Sequence, residues 1–334
     1  MQTHSVNDIF NRIREHTFPD NRSGYKGIAD VTEDSWMVRI LTIRDLVRLG
    51  EESIPDLQSE LICGNPNVRF ISLFVLGLFG AEQANLDIID IVENDPDDVV
   101  RCQAAQALGQ IGLSESIPVL EKLIENDPNK DLNHRAELAV KRINERHTAE
   151  KNKELIAEIK SIDEKMFNIL KVGKPAPDFE LRDTKGQLWR LSDFKGKQPV
   201  VLIWIFADWC GVCQTEFRHL TEMEKEYAEA GAAVATVECH DLYRSGVMVG
   251  GRELWWSHLV DSAFKVGAMY GVSPMEFVVH NEWINRPATI IIDKEGIVRL
   301  AYYGTYWGDR PTIEQTLEMV KSGSFEFEHP KRRK

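Results

Sequence analysis

The chain has 334 residues, room for two domains at roughly 100–200 residues each. Hydrophobic residues make up 43% and charged residues 28%, which excludes a disordered, collagenous or disulfide-scaffold protein. The net charge of −13 repels phosphates and argues against general nucleic-acid binding. It is unevenly spread: residues 1–150 carry 15 basic and 26 acidic side chains, a balance of −11, which leaves −2 for residues 151–334.

The N-terminus, MQTHSVNDIFNRIREHTF, lacks the apolar run of a signal peptide. The longest apolar runs, Ile71–Ala81 and Pro199–Ala207, are too short to span a bilayer. The expectation is a cytoplasmic protein that engages neither membrane nor nucleic acid. Five cysteines (Cys63, Cys102, Cys210, Cys213 and Cys239) are too few, and odd in number, for a disulfide framework.

The first half repeats itself. Val-Arg pairs fall at Val38-Arg39, Val68-Arg69 and Val100-Arg101, and glycines follow at Gly50, Gly80 and Gly112. A fourth, partial unit, HRAELAVKRINE, starts at His134. Each unit reads as two short helices: Ala104, Ala107, Leu108 and Ile111 recur at helical spacing, Gly112 ends the helix, and Pro118 sits in the first turn of the next. Asn65, Asn94 and Asn126 punctuate the unit ends. One helix pair cannot bury its apolar face alone, so the pairs must stack. The stretch resembles HEAT-like repeats, which implies an α-solenoid with a binding surface and no chemistry. A helical cap is expected over 1–29, the solenoid over 30–147, and a charged helical linker over 148–171.

After Val172 the pattern changes to strand–turn–helix alternation. PVVLIWIFA reads as a buried strand, QTEFRHLTEMEKEYAEAG as an amphipathic helix and AAVATVE as a second strand. Ser262–Tyr270 reads as another helix. RPATIIIDKEGIVRLAYYG reads as two strands joined at Lys294-Glu295-Gly296, and Thr312–Ser322 as a closing helix. Residues 323–334 are expected to be a flexible tail.

Between the first strand and its helix lies Trp209-Cys210-Gly211-Val212-Cys213. A thiolate at a helix N-terminus is stabilised by free N–H groups and the dipole, so the first cysteine of such a pair ionises near neutral pH and attacks disulfides. The second, one turn on, resolves the mixed disulfide. A structural zinc half-site would need a second Cys/His pair, and there is no second CxxC. No metal or other cofactor is expected.

These motifs resemble the thioredoxin-like redoxins, which include the AhpC/TSA proteins and the TlpA/ResA-type thioredoxins. The resemblance runs over residues 172–322 and rests on VGKPAPDFELRDTKGQLWRLSDFKGK, PVVLIWIFADWCGVC, the following QTEF, and RPATIIIDKEGIV. It implies a thioredoxin fold, so the whole chain reads as multidomain α + α/β: a HEAT-like α-solenoid, then a central mixed sheet flanked by helices. The resemblance also implies a cis-proline at Pro287, facing the CxxC across a cleft.

Aligned with peroxiredoxins, Cys213 and Glu216 fall on the peroxidatic cysteine and its glutamate. Cys210 then takes the threonine position and Phe206 the proline position. The peroxide-activating arginine falls on Pro287, beside Arg286. These departures favour dithiol–disulfide exchange, with a thiol peroxidase (antioxidant) or a redox-sensing adaptor as alternatives. Cys210 is expected to attack, Cys213 to resolve and Pro287 to shape the cleft.

Neighbours of this site are Asp208, Trp209, Gly211, Val212, Glu216, Arg286 and Thr289. The buried acid of thioredoxins, six residues before the first cysteine, is Trp204 here; Asp208, Glu238 or His240 are candidates to replace it as proton acceptor. Cys239 and His240 end the second strand on the same sheet edge, where they could resolve a disulfide or bind a soft metal. His280, Trp283 and Arg286 are expected to overhang the cleft, with Trp255, Trp256 and Tyr302–Pro311 as an aromatic rim. The expected partners are a protein disulfide substrate, a dithiol reductant and a basic-faced protein docked on the solenoid.

Overall fold

A computed structural model describes residues 5–15, 33–147, 152–272, 277–304 and 308–327. The described chain falls into two units. The first holds 5–15, 33–147, 152–164 and 278–283; the second holds 165–272, 277, 284–304 and 308–327.

Asparagine, aspartate and glycine punctuate the first unit. After α1 (Val6–Glu15), one layer is built from α2 (Glu33–Leu49), α4 (Pro66–Phe79), α6 (Asp98–Ile111) and α8 (Lys130–Asn144). The returning helices are α3 (Ile54–Ser59), α5 (Asn85–Asn94) and α7 (Ile117–Asn126). Asn65, Asp97 and Asn129 cap α4, α6 and α8, each side-chain oxygen accepting a first-turn N–H at 2.9–3.0 Å. Gly80 and Gly112 end α4 and α6 at φ 65° and 83°, left-handed positions that favour glycine.

Arginines, Arg69 buried and Arg101 half-buried, staple the repeats. Arg69 forms a bidentate pair with Asp95 at 2.7 and 2.8 Å, and Arg101 pairs with Asp127. The fourth unit begins earlier than the HRAEL stretch suggests. Its helix starts at Lys130, because Asn129 rather than a residue near His134 supplies the cap.

Close helix crossings need missing side chains. A Cβ on Gly109 would lie 2.8 Å from Ala139 Cα, and one on Gly77 would lie 3.0 Å from Ala107 Cα. Gly109→Ala should therefore destabilise the chain by about 1–3 kcal/mol through overpacking, despite alanine's better helix propensity. Thermal denaturation checks this: a raised melting temperature would mean that α6 and α8 separate freely.

Of the expected cap over 1–29, α1 is described, with Ile9, Phe10 and Ile13 buried; residues 16–29 lie outside the described residues. The expected linker helix is short. Its α9 (Lys153–Lys160) belongs to the first unit, where Arg48 donates to the Lys160 carbonyl at 2.7 and 3.0 Å. The chain joins the second unit at Lys165.

The second unit is a seven-stranded mixed sheet in the order β2-β1-β5-β4-β3-β8-β9. Its strands are β1 (Glu180–Asp183), β2 (Leu188–Arg190), β3 (Val200–Trp204), β4 (Ala233–Glu238), β5 (Ser257–Val260), β8 (Ala288–Ile292) and β9 (Val298–Tyr303). A separate pair, β6 (Phe277–Val279) and β7 (Glu282–Ile284), precedes β8. β3, β4 and β5 run parallel and β8 runs antiparallel to β3. Every residue of β3 is buried, as its unbroken apolar run requires.

The long amphipathic stretch becomes two helices, α10 (Gly211–Glu222) and α11 (Glu224–Glu229). They are followed by α12 (Leu242–Val249), α13 (Lys265–Tyr270) and α14 (Ile313–Ser322), whose Thr312–Gln315 capping box matches the expected start. On one face of the sheet Leu202, Trp204, Val237, Ala288 and Ile290 pack with Tyr270. On the other, Phe217 of α10 meets Trp256 and His258 edge-on at 5.4 and 5.3 Å. Phe327, in the first part of the expected flexible tail, packs edge-on against Tyr302 at 4.9 Å; residues 328–334 lie outside the described residues. Among the described residues no helix is long and apolar enough to cross a membrane.

Candidate active site

β3 delivers the chain to the carboxyl edge of the sheet, where Ile205 N–H still donates to Val237 O at 3.0 Å. Beyond it, Cys210 is the N-cap residue of α10. Its sulfur accepts the Cys213 N–H at 3.3 Å and the Cys213 S–H at 2.7 Å. Both cysteines are free thiols. Cys210 is 4% exposed and Cys213 is fully covered.

This geometry splits the two thiols. The Cys213 thiol bond brings Cys210 down to about 7, against the opposing effect of burial and helped by the Cys213 N–H and the charge of Arg310. Burial pushes Cys213 well above its ordinary value, and donating to Cys210 pushes it further. The Cys213 N–H at the head of α10 contributes, and the neighbouring thiol contributes more.

Behind Cys213 lies a cation that sequence reasoning missed. Arg310 forms a bidentate pair with Glu216 at 2.6 Å for both bonds. It also donates to Trp204 O at 2.7 Å and reaches Cys213 Sγ at 3.5 Å. Burial works against its charge, yet Glu216 and the two thiols keep it firmly protonated. Burial lifts the Glu216 carboxyl above its ordinary value, partly countered by Arg310.

Gly304 lets the chain reach this place: a Cβ there would sit 2.2 Å from Asp309 O and 2.6 Å from Pro287 Cγ. A glycine between aromatics, in YYG, was the available signal.

Asp208 does not serve as a free proton acceptor. It is ion-paired with buried Arg244 of α12, whose Nε donates at 2.9 Å. The Asp208 carbonyl accepts from Gln214 Nε2 at 3.1 Å, and Arg252 donates to Gln214 Oε1 at 3.0 Å. The loop before Cys210 is thus anchored to the α12 segment. Trp209 lies 6.4 Å from Phe206, ring to ring; Gly211 is exposed and Val212 half-buried.

Cys239 and His240 follow β4, whose Val237 pairs with Trp204 at the end of β3. His240 Nδ1 is bound there to Glu238, whose other oxygen meets His258 Nε2 at 3.1 Å. His258 Nδ1 in turn meets Thr236 Oγ1 at 2.9 Å. Burial would raise the Glu238 carboxyl, but His240 and His258 outweigh it and hold it down to about 2. Among the described residues no group of three or more His, Cys, Asp and Glu side chains is arranged to hold a metal.

Three expectations need correction. The Pro287 peptide is trans, there being no cis bond among the described residues. The chain runs extended into β8: Ala288 pairs with Tyr303, and Pro287 O prolongs that ladder by accepting Gly304 N–H at 2.7 Å. Next, Arg286 does not overhang a cleft; it is 3% exposed with its guanidinium 5.8 Å from the Tyr303 ring. His280 and Trp283 fall in the first unit. Finally, Trp255 and Trp256 are packing rather than rim. Trp255 donates to Leu220 O at 2.7 Å, and Trp256 is 5% exposed. Thr289 is buried between its strand partners Ile203 and Tyr302. Residues 305–307 of the expected rim lie outside the described residues.

The AhpC/TSA family pattern matches residues 172–301, and the HEAT-repeat pattern matches residues 54–141. The thiol-disulfide oxidoreductase ResA of Geobacillus kaustophilus (strain HTA426) is 31% identical over 151 residues, which cover 45% of this chain and 78% of that protein. A putative peroxiredoxin in the rubredoxin operon of Clostridium pasteurianum is 28% identical over 163 residues, covering 45% of this chain and 88% of its own. Among solved structures, the peroxidoxin BcpB from Mycobacterium tuberculosis aligns with a TM-score of 0.40 at 23% identity, over 46% of this chain and 97% of that one. With a CxxC pair at the head of α10 and HEAT repeats ahead of it, the chain belongs to the AhpC/TSA family of thioredoxin-like oxidoreductases.

Proposed function

We propose that the protein is a dithiol–disulfide oxidoreductase acting on protein disulfides. The observation that carries this reading is the aim of both the Cys213 N–H and the Cys213 S–H at Cys210 Sγ. Such a pair stabilises a thiolate at Cys210 and keeps Cys213 protonated until it is needed.

Cys210 thiolate attacks one sulfur of the substrate disulfide. A Cys210–substrate S–S bond forms, and the other substrate sulfur leaves as a thiolate. Cys213 then gives up its proton to the departing substrate thiolate, and Arg310, whose guanidinium lies 3.5 Å from Cys213 Sγ, stabilises the thiolate that forms. The Cys213 thiolate attacks Cys210 Sγ and releases the second substrate sulfur. The substrate has gained two electrons, the enzyme carries a Cys210–Cys213 disulfide, and a dithiol reductant restores it. A peroxidase that attacks through Cys213 fits less well, since burial keeps that thiol covered and protonated.

The solenoid's part in this proposal is to dock a partner with a basic face. Asp56, Asp87 and Glu121 are exposed on α3, α5 and α7. Ile62, just after α3, and Leu86, in the first turn of α5, are 91% and 77% exposed. Charged rims act mainly on the association rate and weaken with salt.

The test uses the full chain. Turnover of a protein disulfide such as insulin by a dithiol should be lost in Cys210→Ser, while Cys213→Ser should accumulate a mixed disulfide on Cys210. Peroxide consumption without any protein disulfide turnover would overturn the reading in favour of a peroxidase. In the trapping variant, Asp87→Lys with Glu121→Lys should slow capture of a basic substrate at low salt; capture indifferent to both charge and salt would remove the docking role.

A further inference from the structure

The first unit contains a segment from far along the sequence. Residues 278–283 lie inside the redoxin stretch but pack with the helical repeats. They form the β6–β7 hairpin. Its turn residues, His280 and Asn281, both take left-handed backbone, φ 49° and 52°, as a tight two-residue hairpin demands. Neither residue is glycine, so the conformation costs energy that surrounding contacts must offset.

One carboxylate answers both turn residues. Asp131 of α8 meets His280 Nδ1 through Oδ1 and Asn281 Nδ2 through Oδ2, each at 2.9 Å. One helical turn further on, Arg135 pairs with Glu282, and both side chains are at least nine-tenths buried. Trp283 lies against Arg39 of α2, whose guanidinium is 3.6 Å from the ring centroid, a cation–π contact. Burial pushes the Cys102 thiol of α6, which feels the charges of Arg135 and Glu282, up to about 12.

The two arginines involved stand outside the Arg–Asp staple pattern, although Arg39 also donates to Asn67 of the next repeat at 3.2 Å. Arg69 and Arg101 each bind an aspartate 26 residues ahead. The residue 26 ahead of Arg39 is Asn65, already the cap of α4. In α8 the staple position, 32 residues after Arg101, is Asn133; Arg135 stands where α6 has Gln103. The staple pattern therefore does not account for the placement of a buried cation at Arg135. A buried arginine is costly unless an anion meets it, and Glu282 is that anion.

We infer that the α2–α8 layer is a receptor for this chain's own β-hairpin, Val278–Trp283, with Asp131 reading the turn, Arg135 the glutamate and Arg39 the tryptophan. This surface is an internal latch for an acidic–aromatic hairpin, and an outside partner is left the other layer of helices.

The test is amide hydrogen exchange on the intact chain, followed peptide by peptide. Glu282→Gln and Asp131→Asn should each raise exchange over 278–284 by roughly tenfold or more, because each removes a contact that closes the local opening reaction. The Arg69–Asp95 staple region should keep its protection. Arg135→Glu alone should release the hairpin, and Arg135→Glu with Glu282→Arg should restore part of its protection. If Arg135→Glu fails to fold, the two milder variants still decide. Unchanged hairpin exchange in both overturns the latch; so does an equal rise at the staple, which would mark general loosening.

Discussion

Replacing Arg310 by methionine should destabilise the protein by about 3–5 kcal/mol, the cost of leaving a buried carboxylate without its cation. The guanidinium side chain is 2% exposed and Glu216 11% exposed, so water cannot replace the lost bonds. The Trp204 carbonyl loses its donor as well. Removing both charges together, as Arg310→Met with Glu216→Gln, should recover a large part of the loss, because no uncompensated ion then remains. Chemical denaturation of the four-member cycle measures this coupling. A single variant within about 1 kcal/mol of the parent would mean that Arg310 is a bystander to the stability of the site. The same substitution should raise the Cys210 pKa, since the Arg310 charge helps to lower it. A pH profile of thiol alkylation separates that effect from simple loosening.

The parts of this architecture that sequence reading reached are those with local causes. Asn65 caps α4 within three residues of itself and Gly112 ends α6 by its own φ, whereas the caps of α6 and α8 are Asp97 and Asn129, three residues beyond the Asn94 and Asn126 that the sequence points to. Cys210 and Cys213 meet because one helical turn separates them. The register of the last repeat slipped because its arginine lies at Arg135 while its cap lies at Asn129.

The missed features join residues far apart in the chain. Arg310 reaches Glu216 across 94 positions, and Arg244 reaches Asp208 across 36. No periodicity encodes such pairs. The Glu238 cluster was partly legible, since Thr236 and Glu238 alternate along β4 and His258 sits on the neighbouring strand, all on one face of the sheet. Its role as a closed charge network needed the register. The cis-proline came from resemblance alone, and here a trans peptide leads into the β8–β9 ladder.

The thiol titration should separate two causes of a low pKa that sequence alone cannot tell apart. At pH 7 about half of Cys210 is thiolate, given its value of about 7. Cys213, raised well above 9.0, is thiolate in fewer than about one molecule in a hundred. Only thiolates alkylate, so iodoacetamide should modify Cys210 roughly fifty-fold faster or more at that pH. A thiol loses its proton as pH rises. The Cys210 rate should thus climb about tenfold per unit below pH 6, reach half its maximum near 7 and level off by about 9. Cys213→Ser keeps an O–H donor and the backbone N–H, and should leave the midpoint near 7. Cys213→Ala keeps only the N–H and should move the midpoint upward, because the Cys213 side-chain bond is the largest of the lowering effects. An unmoved midpoint in Cys213→Ala would return the whole effect to the helix terminus and Arg310. A Cys213 that alkylates faster than Cys210 would reverse the roles of attacking and resolving thiol, and with them the direction of the proposed mechanism.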